Sequence, residues 1–254
     1  MIYRQTASNP FEGIFKARPF QAALYARAGA HHEFKHPVKL NRRRRQTLGH
    51  YTSLIMQVSF PYHSSLELAA MQWLDLAHQT KVYWPQPGTF LYEMDGELRR
   101  YTPDIGVELH DGRGLMVEVK TRKDAEREEN RLRWPLISET LARDGYGLAF
   151  LLDERLEAQP FGNYLRLLQQ FRGAQFDPIQ VGDLQNRLDN ARPWTVAEVL
   201  PVMASRGFAQ DQLFPLILYR HLGINLMEEV TERSRVWIPS RAPTFPIWGI
   251  RNAA

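Results

Sequence analysis

The 254-residue sequence predicts an α/β protein: a mixed β-sheet flanked by helices, followed by a small winged-helix-like α+β domain. Three observations predict it. A helix-spaced apolar stripe over residues 64–79 leads into several strand-like runs between 81 and 120. A helical stretch over 124–143 then precedes the apolar run Gly145-Tyr146-Gly147-Leu148-Ala149-Phe150-Leu151-Leu152, which reads as a buried strand. Beyond residues 153–160 the pattern changes to short helices closed by a pair of strand-like runs. The division is placed at residue 157, with 1–157 as a first domain that includes a basic N-terminal arm. Residues 158–254 form a second domain and its tail.

Taken in order, residues 1–60 show no clear periodicity, though within them 49–60, with Tyr51, Leu54, Ile55, Met56 and Val58, fit a strand. The helix over 64–79 is capped by Ser64 or Ser65, and its stripe is Leu66, Ala69, Ala70, Trp73, Leu74 and Ala77. Glu67 falls on the edge of that stripe, in line with Ala70 and Leu74. Val82-Tyr83-Trp84 is a strand stopped by Pro85-Gln86-Pro87-Gly88. Residues 89–94 form a strand, Asp95-Gly96 a hairpin turn, and 98–109 continue the sheet. Asp111-Gly112-Arg113-Gly114 is a further turn before a strand over 115–120. In the second domain, helices are expected over 163–171, 195–205 and 210–222, with Gly207 and Gly223 at helix ends. Runs over 224–230 and 235–239, joined by a polar turn, complete the outline of a winged helix-turn-helix.

Composition excludes several classes. With no cysteine there are no disulfides, zinc–thiolate sites or thiol nucleophiles. No apolar run approaches the length of a membrane span, and residues 1–10 lack a signal-peptide pattern, so a cytoplasmic protein is expected. The eight histidines are irregularly spaced, which argues against a zinc site. No Gly-Lys-Ser/Thr is present to hold ATP. The acidic run Asp124, Glu126, Glu128 and Glu129 alternates with arginines and reads as helical ion pairs. The net charge of +4 is modest, but its distribution is uneven. Arg42, Arg43, Arg44 and Arg45 are consecutive, and Lys120, Arg122, Lys123, Arg127, Arg131 and Arg133 form a second cluster. Such clusters favour a polyanion by releasing its counterions, and a nucleic acid is the expected partner. Arg42, Arg43, Arg44, Arg45, Arg122 and Lys123 are its expected contacts.

The chemistry-bearing set is Tyr101-Thr102-Pro103-Asp104 followed by Met116-Val117-Glu118-Val119-Lys120. Alternation puts Met116, Glu118 and Lys120 on one strand face and Leu115, Val117 and Val119 on the other. Fourteen residues separate Asp104 from Glu118, which suits a hairpin that brings the two carboxylates together. Charge inside so apolar a strand is costly unless it is used or paired. Converging carboxylates hold Mg²⁺, with Mn²⁺ able to take its place, and such a metal binds a scissile phosphate and acidifies an attacking water. A neighbouring lysine orients that water and stabilises developing charge. Glu67, arriving from its helix, would complete the metal shell, with the Val119 carbonyl as a further oxygen. The expected catalytic set is therefore Glu67, Asp104, Glu118 and Lys120, and the expected metal ligands are Glu67, Asp104, Glu118 and Val119.

Asp104 with Glu118-Val119-Lys120 resembles the PD-(D/E)xK nuclease motif. More narrowly, Ser65-Leu66-Glu67-Leu68-Ala69, Gln86-Pro87, Asp95-Gly96, Tyr101-Thr102-Pro103-Asp104 and Val117-Glu118-Val119-Lys120 resemble the TnsA family over roughly residues 60–125. Members of that family are endonuclease subunits of heteromeric cut-and-paste transposases. The resemblance implies a restriction-endonuclease-like first domain, a winged-helix-like second domain, and catalytic positions for Glu67, Asp104, Glu118 and Lys120. It implies double-stranded DNA as the partner, with cleavage of the non-transferred 5′ strands at transposon ends, alongside a TnsB-like DDE transposase that cuts the 3′ ends. It also implies a TnsC-like AAA+ ATPase regulator and a prokaryotic cytoplasm with nucleoid association on DNA. Two other functions fit the residues. One is a stand-alone PD-(D/E)xK restriction or repair endonuclease, and the other is a non-catalytic DNA-binding or assembly protein.

Overall fold

The structure, a computed structural model, describes residues 48–188 and 192–239. Arg42, Arg43, Arg44, Arg45 and Trp248 lie outside them. In chain order the elements are β1 (Gly49–Thr52), β2 (Ser59–Tyr62), α1 (Ser65–Leu76), β3 (Thr80–Pro85), β4 (Phe90–Met94), β5 (Glu97–Tyr101), β6 (Ile105–Leu109) and β7 (Gly114–Lys120). Then come α2 (Arg122–Ala125), α3 (Glu128–Arg143), β8 (Tyr146–Leu152), α4 (Asp153–Leu156), α5 (Phe161–Leu168) and α6 (Pro178–Arg187). Last are β9 (Trp194–Thr195), α7 (Val196–Ser205), α8 (Leu213–Leu218), β10 (Gly223–Ile224) and β11 (Arg235–Trp237). These residues fall into two compact units, one of 48–71 and 79–155, the other of 72–78 and 156–239. The second unit thus takes residues 72–78, which a linear division at 157 assigns to the first.

The first unit is built on a four-stranded sheet ordered β3-β6-β7-β8. β3 with β6 and β6 with β7 are antiparallel, whereas β7 and β8 run parallel, so the sheet is mixed and carries helices. β6 is buried throughout and β7 is buried up to Lys120, as strands covered on both faces must be. The expected single strand over 98–109 is two strands. Among the described residues β5 pairs with β4 alone, turning through Asp95 and Gly96, both at positive φ. The chain then breaks at residues 102–104, because Pro103 has no N–H to give a ladder, and re-enters the main sheet at Ile105. The expected helix over 124–143 is likewise two, since Arg127 adopts extended backbone between α2 and α3.

One face of α3 carries Asn130, Trp134, Ile137 and Leu141, spaced so that they stack along one side. Trp134, Ile137 and Leu141 pack on Tyr92, Tyr101, Met116 and Leu148. The Trp134 indole donates to the Ala125 carbonyl at 3.2 Å and meets the Phe150 ring edge-on at 5.0 Å. Replacing so large a buried ring with Ala would cost about 3–5 kcal/mol. This core fixes the height of α3 above β7, and hence the floor of the site described below.

In the second unit, helices surround a three-stranded antiparallel sheet ordered β10-β11-β9. α6 was not expected from periodicity, yet its start is marked: Asp177 accepts the Ile179 N–H and Pro178 takes the first helical turn. α7 begins with a reciprocal cap between Thr195 and Glu198. It ends at Gly207, whose φ of +80° favours glycine. The expected helix over 210–222 is shorter, a 3₁₀ turn (Gln210–Gln212) followed by α8. Arg220 donates to the carbonyls of Leu74, Asp75 and Ala77, satisfying the C-terminal end of α1. Among the described residues no helix is long and apolar enough to cross a membrane.

Candidate active site

The β6–β7 register pairs Ile105 with Val117 and Gly106 with Met116. One residue before β6 begins, Asp104 stands opposite Glu118. There Asp104 no longer takes part in the ladder of β7, and its side chain replaces it: Oδ2 accepts the Val119 N–H at 2.8 Å. Its carbonyl accepts the Gln86 N–H at 2.9 Å on the other side. Asp104 is therefore held by both neighbours of its strand. In an extended strand the N–H and C=O of one residue point the same way. The Val119 carbonyl accordingly opens toward the Asp104 edge.

Lys120 completes the group. Its Nζ lies 2.9 Å from Asp104 Oδ2 and 2.8 Å from Glu118 Oε2, so a single ammonium bridges the two carboxylates. Glu118 is 3% exposed, whereas Asp104 and Lys120 keep 24% and 28%, giving the group one dry wall and one wet one. Burial first, and the Asp104 charge second, push the Glu118 carboxyl up to about 7, against the opposing pull of Lys120. For Lys120, burial disfavours the ammonium, but Glu118 and Asp104 outweigh it and raise its pKa. The site thus sits at a balance in which one proton on Glu118 is gained or lost near neutrality.

Tyr101, part of the Tyr101-Thr102-Pro103-Asp104 run but outside the expected catalytic set, also lines the group. Its buried hydroxyl has no hydrogen-bond partner of ordinary geometry. Burial and then the Glu118 charge raise its pKa far above the usual phenol range, so it remains neutral. The β4–β5 hairpin delivers this residue, with its ring edge-on to Trp134 at 6.4 Å. The signal in the sequence was its place three residues before Asp104, but nothing local showed that the hairpin folds back over α3.

The remaining expected residues fall elsewhere. Glu67 lies in the first turn of α1, where its carboxylate accepts the His63 N–H at 2.9 Å and the Ser64 hydroxyl at 3.3 Å. Ser64 Oγ in turn accepts the Glu67 N–H at 3.1 Å. Glu67 is engaged as a helix cap and makes no hydrogen bond or ion pair to Asp104, Glu118 or Lys120. Among the described residues, no three His, Asp or Glu side chains converge on a metal position. The donors that do converge, two carboxylates and the Val119 carbonyl edge, are hard oxygens around a point already taken by a cation. That set fits a small divalent ion that keeps part of its water shell. Arg122, expected to meet DNA, is committed to Glu154 and to Glu126, and its N–H to Asp153. Lys123 is exposed and has no ion pair among the described residues.

No protein-family model matches the chain, and no curated protein matches it.

Proposed function

We propose that the protein is a Mg²⁺-dependent DNA endonuclease whose chemistry centres on Asp104, Glu118 and Lys120. The observation that carries this reading is the Lys120 ammonium held between two carboxylates at the open end of the β6–β7 pair. Phosphodiester hydrolysis needs cation-binding oxygens and a fixed positive charge at one point, and this is where they meet. Asp104, Glu118 and the Val119 carbonyl would hold the ion, which supplies a polarised phosphate and a more acidic water when bound. Val119 N–H fixes the Asp104 carboxylate in place. Glu118 gives up its proton near neutrality, and Lys120 then faces the incoming phosphate and the water. Tyr101 stays neutral and keeps bulk water from the dry side of Glu118. Glu67 would add a further ligand to that ion if its carboxylate released the His63 N–H.

More narrowly, we propose a TnsA-like role: cleavage of the 5′ strands at transposon ends, with a DDE transposase and an AAA+ regulator as partners. Three points support it. The quoted motifs resemble that family. The order α1, antiparallel β3-β6-β7, α3, parallel β8 suits a restriction-endonuclease-like core. The order α6-β9-α7-α8-β10-β11, with β11 central in its sheet, suits a winged helix.

The test is nicking of supercoiled DNA carrying candidate element ends, with Mg²⁺, with and without the DDE transposase of a neighbouring reading frame. Partner-dependent nicks at the 5′ strands, absent in Asp104→Ala, are expected. Cleavage without the partner would replace the transposition role with a stand-alone nuclease. Product unaffected by Asp104→Ala would overturn the site itself.

A further inference from the structure

Arg133 lies on the sheet-facing side of α3, three residues after buried Asn130 and four before buried Ile137. Its neighbour Trp134 packs against Met116, which shares a strand face with Glu118 and Lys120. Arg133 is thus on the same side of the sheet as the carboxylate–lysine group. Its guanidinium stacks over the Trp134 ring at 4.5 Å. Its Nε is sealed from solvent and has no acceptor, and no carboxylate pairs with it among the described residues. The other arginines of α2 and α3 differ: Arg122 is held by Glu154 and Glu126, Arg127 by Asp124 at 2.7 Å, and Arg143 by Glu139 at 2.6 Å. Tyr101, whose hydroxyl lies beside Glu118, is within electrostatic reach of both Glu118 and Arg133.

A buried N–H donor with no acceptor is costly, and proteins seldom leave one so. The Arg133 side chain as a whole is half-buried, and with no ion pair among the described residues its guanidinium is left to serve an acceptor from outside. The stacked, planar fork suits two oxygens of a phosphate, and stacking on Trp134 sets its plane in advance. The Asp104–Glu118–Lys120 group carries two carboxylates against one ammonium, so a phosphate nearing it needs a further fixed cation.

We propose that Arg133 binds a backbone phosphate of duplex DNA beside the carboxylate–lysine group, as a positioning residue for the strand to be cut. The choice of DNA rests on the nuclease reading above.

The experiment measures binding of a short labelled duplex in the presence of a chelator, across a salt series, for the full chain and for Arg133→Met and Arg133→Lys. Met keeps the apolar stem over Trp134 and removes the fork. We expect Arg133→Met to bind about tenfold more weakly at low salt, with the salt slope reduced by about one. Arg133→Lys should regain the slope but only part of the affinity. Wild-type affinity and slope in Arg133→Met would overturn the proposal. If Arg133→Met does not fold, Arg133→Lys decides: weaker binding at unchanged Tm supports the fork, and unchanged affinity overturns it. Cleavage with Mg²⁺ and the DDE transposase of the neighbouring reading frame, run in parallel on DNA carrying candidate element ends, separates the two readings. Cutting with no effect of Arg133 on binding removes this proposal alone. A changed slope without any cutting removes the nuclease reading alone. Failure of the wild type to bind any duplex removes both.

Discussion

The Asp104 carboxylate accepts the Val119 backbone N–H at 2.8 Å, in the position where the next rung of the β6–β7 ladder would lie. One side chain therefore does two things. It closes the sheet where Pro103 cannot, and it holds a carboxylate rigidly at the sheet's edge.

Removing it separates those roles. Asp104→Ala leaves the Val119 N–H unpaired, so we expect a stability loss of about 1–3 kcal/mol in denaturant unfolding. Asp104→Asn keeps an acceptor and recovers most of that loss. Both lose at least about a hundredfold in Mg²⁺-dependent nicking, because neither restores the charge.

Glu118 makes stability fall with rising pH. Its carboxyl is pushed up to about 7 in the folded chain from an ordinary 4.5. Between those values the folded state holds a proton that the unfolded state has released. Stability is thus highest below about pH 4.5 for this group, declines through the window and is flat above 7. Metal-free thermal unfolding from pH 5 to 8 should show that decline. Glu118→Gln should abolish most of it while keeping the fold.

Lys120 opposes that effect by pairing with both carboxylates. Lys120→Met should therefore drive the Glu118 pKa further up and shift the acidic limb of the pH–rate profile to higher pH. The cleavage rate should fall far more than duplex affinity. Equal losses in both would make Lys120 a phosphate anchor.

Glu67 can be separated into cap and ligand. Glu67→Ala loses the His63 and Ser64 contacts and should cost about 1 kcal/mol. Glu67→Gln retains acceptors, so its stability should be nearly unchanged. A drop in Mg²⁺ affinity by calorimetry in Glu67→Gln is expected from the ligand role, and an unchanged value would leave Glu67 a cap only.

Much of the site was legible because strand alternation is rigid. It put Glu118 and Lys120 on one face, and the fourteen-residue spacing put Asp104 opposite Glu118 once Gly112 turned the chain at φ +84°. The bridging by Lys120 was not legible, since it depends on side-chain reach past the strand end. Tyr101 and Arg133 come to the site only through tertiary folding of the β4–β5 hairpin and α3. The break at residues 102–104 was written in Pro103, but the apolar run on either side masked it. α6 escaped because Gly182 and its polar neighbours dilute the stripe of Val181 and Leu184, although Asp177-Pro178 marked its start. Arg122 looked like a free cation for want of any sign that Glu154, thirty-two residues on, would claim it.

The allocation of residues 72–78 to the second unit has a practical outcome. Neither unit is one uninterrupted stretch of chain, so neither can be moved between proteins as a cassette. A polypeptide stopped at 157 would lack Arg220 and leave the carbonyls of Leu74, Asp75 and Ala77 without their donor. Chimaeras of this protein should therefore be joined within loops of one unit, and a fragment ending at 157 should be short-lived in the cell.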